Sequence, residues 1–278
     1  MNTLLSHETT IRLGAFCAVF FVMACWELIA PCRLLSTAKG QRWFNNLAIV
    51  AINTLLLRLI FPSAAVGIAL LASANHWGLL NNYPLTSGLA ICLAVIVLDL
   101  AIYLQHVLFH AVPALWQLHM VHHTDLDFDV TTGARFHPLE IVLSMLIKFS
   151  VISVVGASAT AVLIFEVLLN ATAMFNHSNV SLPARLDRLL RLLVVTPDMH
   201  RVHHSVIKDE TNSNFGFNLP WWDRLLGTYR AQPAGGHQNM SIGLRPFRDP
   251  KKLTLPNLLR LPFTARATDY PLNRSSES

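Results

Sequence analysis

The chain has 278 residues, of which 53% are hydrophobic and 13% are charged, and its mean hydropathy is +0.45. Soluble domains carry about 25% charged residues. The charged residues here are too few to cover the surface of a soluble globular protein of this size. Lipid must therefore solvate part of the chain. Ten of the 13 histidines lie between His106 and His204. These numbers exclude a secreted disulfide scaffold, a disordered chain and a nucleic-acid-binding module.

The four cysteines lie in or beside apolar runs and form no C-x-x-C pair; they are Cys17, Cys25, Cys32 and Cys92. Neither a disulfide framework nor a thiolate zinc site fits this pattern. We expect them to pack as small apolar residues.

The first 84 residues are predicted to anchor the chain in a membrane. An apolar segment at residues 11–30 is long enough to cross it. This segment lacks the basic n-region and the small-x-small cleavage site of a signal peptide. We therefore predict an uncleaved anchor. A second apolar run, residues 46–73, is broken by Arg58 and Pro62. It is either one tilted, kinked helix or a span followed by an interfacial piece.

Two further apolar units follow. Residues 85–103 form a third span that leads into His106. Residues 138–176 carry Gly156-Ala157-Ser158 near their middle, which predicts a helical hairpin with arms of roughly 17–18 residues. We therefore predict an all-α integral membrane protein with four to five membrane-inserted helices and a cytoplasmic, histidine-rich helical cap.

Basic residues predict the orientation. Arg33, Lys39 and Arg42 lie between the first two spans, whereas the loop at residues 75–84 has no Lys or Arg. By the positive-inside rule the first segment is cytoplasmic, which places every histidine cluster on that side. Residues 233–278 are predicted to be a cytoplasmic extension with a loose polar tail from about residue 264. The C-terminus has no retrieval signal, which favours a bacterial cytoplasmic membrane.

Eight histidines form three clusters, one H-x3-H pair and two H-x2-H-H triplets. They are His106 and His110; His119, His122 and His123; and His200, His203 and His204. Helical residues at i and i+4 share a face, which suits two imidazoles on one metal, while the third histidine of each triplet points elsewhere, toward a second metal. Chance would place a given H-x2-H-H roughly 0.03 times in this chain. The clusters therefore predict about four ligands for each of two metals.

Ligand type alone leaves the metal open, because imidazole suits Zn, Cu, Fe and Ni. A structural zinc site needs only four ligands, and no H-E-x-x-H is present. A redox pair that activates dioxygen is the interpretation we favour. A zinc hydrolase and a non-catalytic membrane metal-binding or transport protein are the alternatives; the transport protein should place its histidines along a transmembrane path.

Residues 85–232 resemble the fatty acid hydroxylase/sterol desaturase superfamily in its bacterial branch. The motifs that carry the resemblance are Asp99-x3-Tyr103-x2-His106, Leu118-His119-x2-His122-His123, Phe136-His137-Pro138-Leu139-Glu140, Asn176-His177-Ser178-Asn179, Thr196-Pro197-Asp198-Met199-His200-x2-His203-His204, Asn214-Phe215-Gly216 and Trp222-Asp223-Arg224-Leu225-Leu226-Gly227-Thr228-Tyr229. The resemblance implies a membrane-bound, O2-dependent enzyme with two iron ions. It would hydroxylate or desaturate a lipid such as a sterol or an acyl chain.

The resemblance also implies roles for single residues. The eight clustered histidines would bind the iron pair, with His177 as a ninth ligand. His137 would be a ligand, a hydrogen-bond donor behind the ligands or a residue that shapes the entrance. The other histidines match no motif. Because the chain has no flavin, haem or dinucleotide motif, electrons would come from a separate reductase or a small ferredoxin- or cytochrome-like carrier.

Several polar residues are expected to support the ligands. Asp99 and Tyr103 share a helical stripe with His106 and His110. Asp99 either caps a polar network at the membrane edge or orients an imidazole from another helix, and we favour the second interpretation. Glu140 and Asp198 lie beside clusters and are similar candidates.

A second polar stripe lies on the hairpin. Glu166, Asn170 and His177 should share one helical face and line the approach to the metals or support them. Lys148, on the other arm, either pairs with Glu166 or extends to the interface.

Overall fold

The computed structural model describes residues 3–266 and 269–272. Within these residues the secondary structure is helical, with two isolated β-bridges and no strand, which confirms the all-α prediction. The α-helices are α1 (Thr3–Ser6), α2 (Glu8–Ile29), α3 (Lys39–Ile60), α4 (Ala64–Ala74), α5 (Ser87–Ala111), α6 (Pro113–His123), α7 (Pro138–Val155), α8 (Ala159–Asn176), α9 (Ala184–Leu190), α10 (Pro197–His203), α11 (Lys208–Thr211), α12 (Trp221–Leu225), α13 (Gly236–Asn239) and α14 (Leu255–Thr264). Short 3-10 helices cover Leu79–Asn81, Thr132–Ala134 and Pro250–Lys252.

Five helical units are long and apolar enough to cross a membrane: α2, α3 with α4, α5, α7 and α8. Their outward faces carry large apolar side chains, such as Phe21 at 69% exposure and Ile29 at 83%. Exposing such apolar faces to lipid costs no free energy, whereas exposing them to water does. The prediction of four to five membrane-inserted helices is confirmed.

The second apolar run is two helices. Pro62 lacks an N–H and its ring clashes with a preceding carbonyl, so α3 ends at Ile60 and α4 begins at Ala64. Helix α4 then packs against α7 and α8, where Ala65 and Ala69 are fully buried.

The predicted hairpin is α7 and α8. Gly156 between them has φ = 75°, a left-handed conformation that favours glycine. Ser158 then caps α8, since its hydroxyl accepts a hydrogen bond from the Ala161 amide at 3.2 Å. The second arm packs against α2, which brings the N-terminal anchor beside the hairpin.

Helices α6, α10 and α14 build much of the polar cap. Leu258 and Leu261 of α14 pack with Trp116 and Met120 of α6. The expected loose tail is wrong for residues 269–272, because Tyr270 is only 4% exposed and joins this apolar cluster. The end of the expected tail, residues 273–278, lies outside the described residues.

Candidate metal centre

Two helices joined by a sharp turn carry the first two histidine clusters. His106 and His110 lie one turn apart at the end of α5. Pro113 begins α6 two residues after α5 ends, since proline is well suited to the first turn of a helix. The turn folds α6 back so that His119 approaches His106, with their Nε2 atoms 3.1 Å apart.

Nine histidines form two buried groups. Within each group, one nitrogen of every imidazole lies within 4.8 Å of the others. The five-histidine group contains His106, His110, His119, His123 and His203, and the four-histidine group contains His122, His177, His200 and His204. The groups adjoin, because the rings of His123 and His204 stack with centroids 4.7 Å apart.

Each H-x2-H-H triplet divides between the two groups. His119 and His123, at i and i+4, join the five-histidine group, while His122 turns to the other. The second triplet shows the opposite assignment: His200 and His204 belong to the four-histidine group, and His203 belongs to the five-histidine group. Helical geometry requires this division, because i and i+4 share a face and i+3 lies about 60° away from i.

Oxygen acceptors fix the tautomers of several imidazoles. His106 Nδ1 donates to the Phe215 carbonyl at 2.8 Å, and His203 Nδ1 donates to the Ser213 carbonyl at 2.7 Å. His119 Nδ1 donates to Glu140 Oε1 at 2.6 Å, and His177 Nδ1 donates to the Ala173 carbonyl at 2.8 Å. A carbonyl or an ionised carboxylate oxygen can only accept a hydrogen bond, so the proton sits on Nδ1 and leaves Nε2 as a free base.

Unprotonated nitrogens meet inside the groups: Nε2 of His106 and Nε2 of His119, whose protons sit on Nδ1, lie 3.1 Å apart. His177 Nε2 lies 3.2 Å from His122 Nε2 and 3.0 Å from His200 Nε2. Other buried ring nitrogens, including Nε2 of His110 and His203, have no hydrogen-bond partner among the described residues. Lone pairs converging in a buried space are unfavourable without a cation. The donor set therefore fits two nitrogen-ligated metal ions.

Burial also keeps these imidazoles in the state that binds metal. It lowers the pKa of His119 and His177 to about 3. It lowers the pKa of His122 and His200 well below the ordinary value, and neighbouring imidazoles add to the effect. A neutral imidazole is the form that ligates, so the groups are ready to bind metal at neutral pH.

One short segment, residues 212–215, accepts hydrogen bonds from three of the grouped histidines, and sequence reasoning did not identify its role. Besides the two carbonyls at Ser213 and Phe215, Asn212 Oδ1 accepts from His110 Nδ1 at 3.0 Å. The Asn212 amide group donates to the Tyr270 carbonyl at 2.7 Å, which fixes the orientation of its side chain. Two of the three acceptors are backbone atoms, which carry no residue-type signal.

Asp223 holds that segment in place. Its carboxylate accepts hydrogen bonds from the amides of Phe215 and Gly216 at 2.8 and 2.9 Å and from the Thr228 hydroxyl at 2.7 Å. Burial raises its pKa, and these hydrogen bonds oppose the rise. The motifs around residues 214–216 and 222–229 therefore position the Phe215 carbonyl behind His106.

The structure places the expected supporting residues differently. Glu140 meets an imidazole, as described above. Asp99 does not: its carboxylate accepts from Trp222 Nε1 at 2.8 Å and from the Leu219 amide at 3.2 Å. The Tyr103 hydroxyl bonds to the Thr228 hydroxyl at 2.9 Å. These two residues thus brace the segment around Asp223 and contact no ligand imidazole directly through a hydrogen bond.

The remaining expected residues also lie outside the two groups. Asp198 pairs with Arg201, and Asn170 donates to the Glu166 carbonyl at 2.8 Å. His137 caps α7, with Nδ1 accepting from the Leu139 amide at 3.2 Å and Nε2 lying 3.1 Å from the Leu259 carbonyl. Backbone groups occupy both ring nitrogens, so neither is free for a metal.

An ion-pair network ties the N-terminal anchor to the loop after the second cluster. Arg42 on α3 contacts Asp125 at 2.6 Å and Asp129 at 2.7 Å, and all three side chains are buried. The guanidinium lowers the pKa of Asp125 well below its ordinary range. Arg135 is held beside them, since its guanidinium donates a hydrogen bond to Asn46 Oδ1 at 3.0 Å. The loop that follows His123 is therefore fixed by residues of α3.

Gly133 allows that loop to approach α8 closely. A Cβ atom there would lie 2.6 Å from the Ala173 carbonyl oxygen and 3.1 Å from His177 Nδ1. These two atoms form the hydrogen bond that orients His177. Only glycine leaves room for it, although nothing in the sequence distinguished this glycine.

A cavity of about 820 Å³ leads from the histidines into the membrane-spanning region. His106, His119 and Glu140 line one end of it, and Phe109, Phe136 and Met174 are among its apolar walls. A volume of this size holds a small or medium-sized organic ligand.

Residues 91–228 match the family described as fatty acid hydroxylase. The chain is 26% identical over 235 residues to ornithine lipid hydroxylase OlsE of Rhizobium tropici, which covers 80% of this chain and 67% of that protein. It is 27% identical over 200 residues to alkylglycerol monooxygenase of Homo sapiens, with 71% and 43% covered. No solved structure matches the chain.

A third relative is cholesterol 25-hydroxylase of Rattus norvegicus, 26% identical over 151 residues, with 54% of this chain and 49% of that protein covered. The chain thus spans about two thirds of the first relative and less than half of the other two.

Proposed function

We propose that this chain, which belongs to the fatty acid hydroxylase family, is a membrane-bound lipid hydroxylase that uses an iron pair and O2. The observation that carries the proposal is the pair of buried histidine groups at the end of a cavity inside the membrane-spanning region. The relatives are named for hydroxylation or monooxygenation of lipids, which supports the same class of reaction.

Two iron ions would be held by the five-histidine group and the four-histidine group. When bound, the pair supplies the chemistry that activates O2 and oxidises an unactivated C–H bond. Imidazole is a suitable ligand for iron, and the resemblance to fatty acid hydroxylases supports iron over zinc or copper.

Residues of this chain orient the histidines and position the lipid. Glu140 and the carbonyls of Ser213 and Phe215 keep Nε2 of their histidines unprotonated and aimed inward. Burial keeps bulk water from the ligands. The cavity holds the lipid so that a C–H bond faces His106 and His119.

Electrons would come from a separate reductase or a small acidic carrier protein. The cap exposes basic side chains on and near α9 and α12, while the neighbouring Asp187 and Asp223 are buried and paired. A positive surface of this kind favours encounter with a negatively charged donor. The exposed basic residues are Arg185, Arg188 and Arg224.

We further propose that the protein lies in a bacterial cytoplasmic membrane with its cap inside the cell. Arg33 and Lys39 flank the cap side of α2 and α3. In a cysteine-free background, Asn82→Cys should react with an impermeant maleimide in intact cells and Arg185→Cys should not. The opposite labelling would reverse the orientation.

Metal content and oxygen incorporation test the function. Protein purified without oxygen should carry about two irons per chain. A deletion strain grown under 18O2 should lack a lipid that the parent makes with one labelled oxygen. A missing double bond without label would make the enzyme a desaturase. Full activity with a single zinc would overturn the iron centre, and tightly bound metal with no altered lipid would indicate a non-catalytic protein.

A further inference from the structure

The end of the cavity away from the histidines carries charged groups that metal binding does not use. Glu166 on α8 accepts a hydrogen bond from Lys148 Nζ on α7 at 2.8 Å. Its other oxygen forms an ion pair with Arg12 on α2 at 2.9 Å. All three residues line the cavity. We call them the Arg12–Glu166–Lys148 triad.

The triad is buried to different degrees. The Glu166 side chain is 3% exposed, Lys148 is 12% exposed and Arg12 is 30% exposed. Lys148 has three N–H donors and gives one to Glu166, while Arg12 has five and meets Glu166 as an ion pair, so both keep donors for a ligand. The unused donors belong to side chains that line the cavity.

The charge on this end of the cavity is not balanced. Arg12 and Lys148 share one carboxylate, which leaves a net positive charge on the triad. Arg58 and Glu8, one cation and one anion, also line the cavity, and the carboxylate of Glu140 lies beside His119 at the histidine end. Unpaired positive charge at membrane depth is costly. An anion entering the cavity would relieve that cost.

The open side of the cavity is near the triad. Among its lining residues, Thr9 on α2 and Thr54 and Arg58 on α3 are exposed, whereas His106 and His119 are buried. We infer from these exposed residues that the cavity opens toward lipid beside α2 and α3. A lipid could enter from the bilayer through this opening with one end reaching the histidines.

Helix geometry sets the spacing between the two ends. Lys148 follows Glu140 by eight residues on α7, which is about 12 Å along the helix. Glu166 precedes His177 by eleven residues on α8, which is about 16 Å. The triad therefore lies about 12 to 16 Å from the metal-binding end, with apolar walls such as Phe109 and Met174 between them.

We propose that the triad binds an anionic group, a phosphate or a carboxylate, of the lipid substrate and so sets which carbon faces the metal centre. The inference rests on the proposed function and adds the chemical class of the substrate. Arg12 and Lys148 donate to the anion, while Glu166 holds both cations in place and moderates their charge.

Binding of chain-matched amphiphiles tests the proposal. The iron-loaded protein, kept without oxygen in a neutral maltoside detergent, is titrated with dodecyl phosphate, laurate and dodecanol, and with inorganic phosphate as the chain-free probe. We expect one or both anionic amphiphiles to bind at least about tenfold more tightly than dodecanol. Which of the two binds more tightly distinguishes a phosphate from a carboxylate. Inorganic phosphate should bind weakly, because it lacks the apolar chain.

Variants assign the effect to the triad. Arg12→Gln and Lys148→Gln should each weaken binding of the preferred anion about tenfold and leave dodecanol unchanged. Glu166→Gln should tighten it, because the cations lose their internal partner. Arg12→Lys should restore part of the affinity. Lys251→Gln, an exposed cation on the cap, is the matched control.

A merely structural ion triplet gives a different pattern. The three charge-removing variants would then lower stability without changing the ratio of anion to dodecanol affinity, and that result would overturn the proposal. Iron content, measured for each variant, shows whether the fold is intact. Protein without iron or without 18O product would instead overturn the hydroxylase, whereas an active enzyme that binds anion and alcohol equally would overturn only this inference.

Discussion

The carboxylate of Glu140 accepts a hydrogen bond from Nδ1 of His119 at 2.6 Å, and both side chains are buried. One residue at the start of α7 thereby fixes the direction in which the imidazole of His119 on α6 presents Nε2. Glu140 is therefore the carboxylate that orients a histidine of the five-histidine group.

Glu140→Gln should weaken metal binding about 10- to 100-fold, because the uncharged amide is a poorer acceptor for the His119 proton. Iron retained after dialysis against graded chelator concentrations measures the change. Asp209→Asn, an exposed acid on the cap, serves as the matched control and should retain iron like the parent. Equal retention in both variants would remove Glu140 from this role.

His177 and His137 offer a direct contrast. His177 belongs to the four-histidine group, so His177→Ala should lower iron from about two to about one per chain. Both ring nitrogens of His137 are hydrogen-bonded to backbone groups, so His137→Ala should keep the iron. The variant should lose about 1 kcal/mol of stability, because it removes the helix cap. Elemental analysis of the two purified variants decides between them. Loss of iron from His137→Ala alone would reverse the assignment.

Gly133→Ala should damage the metal site without touching a ligand. The new methyl group would force apart the loop and the end of α8, where the Ala173 carbonyl orients His177. We expect about a tenfold loss of iron affinity. Gly235→Ala is the control, because a Cβ there meets nothing closer than 3.6 Å. Chelator competition on both proteins measures the effect, and parent-like affinity in Gly133→Ala would contradict it.

Acid should destabilise the metal-free protein. The pKa of His119 and His177 is about 3 in the folded chain and about 6.5 when exposed. Between these values the unfolded chain binds more protons, so each such histidine lowers the free energy of unfolding by about 1.4 kcal/mol per pH unit as the pH falls.

Thermal unfolding of chelator-treated protein between pH 7.5 and pH 5 measures this dependence. The midpoint should be flat above about pH 6.5 and should fall below it. His76→Ala, which changes an exposed histidine, should leave the curve unaltered. A midpoint that rises on acidification would show that the buried imidazoles are not held neutral.

Arg42→Met should destabilise the whole fold by about 3–5 kcal/mol, because it leaves the Asp125 and Asp129 carboxylates buried without their cation. Arg42→Lys should recover part of the loss, and Lys251→Met should have no effect. Unfolding in detergent measures all three. A parent-like midpoint for Arg42→Met would mean that the network contributes little.

Short-range geometry in this protein was predictable from the sequence. The i, i+4 spacing of His119 and His123 indicates a shared face, and the intervening His122 must point elsewhere, which is the division between the two groups. The break at Pro62 and the turn at Gly156 follow equally from single residues with restricted or permissive backbones.

Long-range pairing was not predictable from the same information. His106 bonds to a carbonyl 109 residues later, and Asp99, expected to face an imidazole, meets Trp222 instead. Arg42, read from the sequence as an orientation signal, turns inward to Asp125. Tertiary packing determines each of these partners. Helical periodicity within one segment does not predict which distant residue will pack against it.

The Arg12–Glu166 contact has a consequence for biosynthesis. The ribosome makes Arg12 about 150 residues before Glu166, which at ordinary elongation rates is an interval of roughly 8 to 30 s. During that interval α2 holds its arginine without the carboxylate that later pairs with it. Insertion of the α7–α8 hairpin supplies both Lys148 and Glu166, so the last span to enter the bilayer completes the charge pairing of the first.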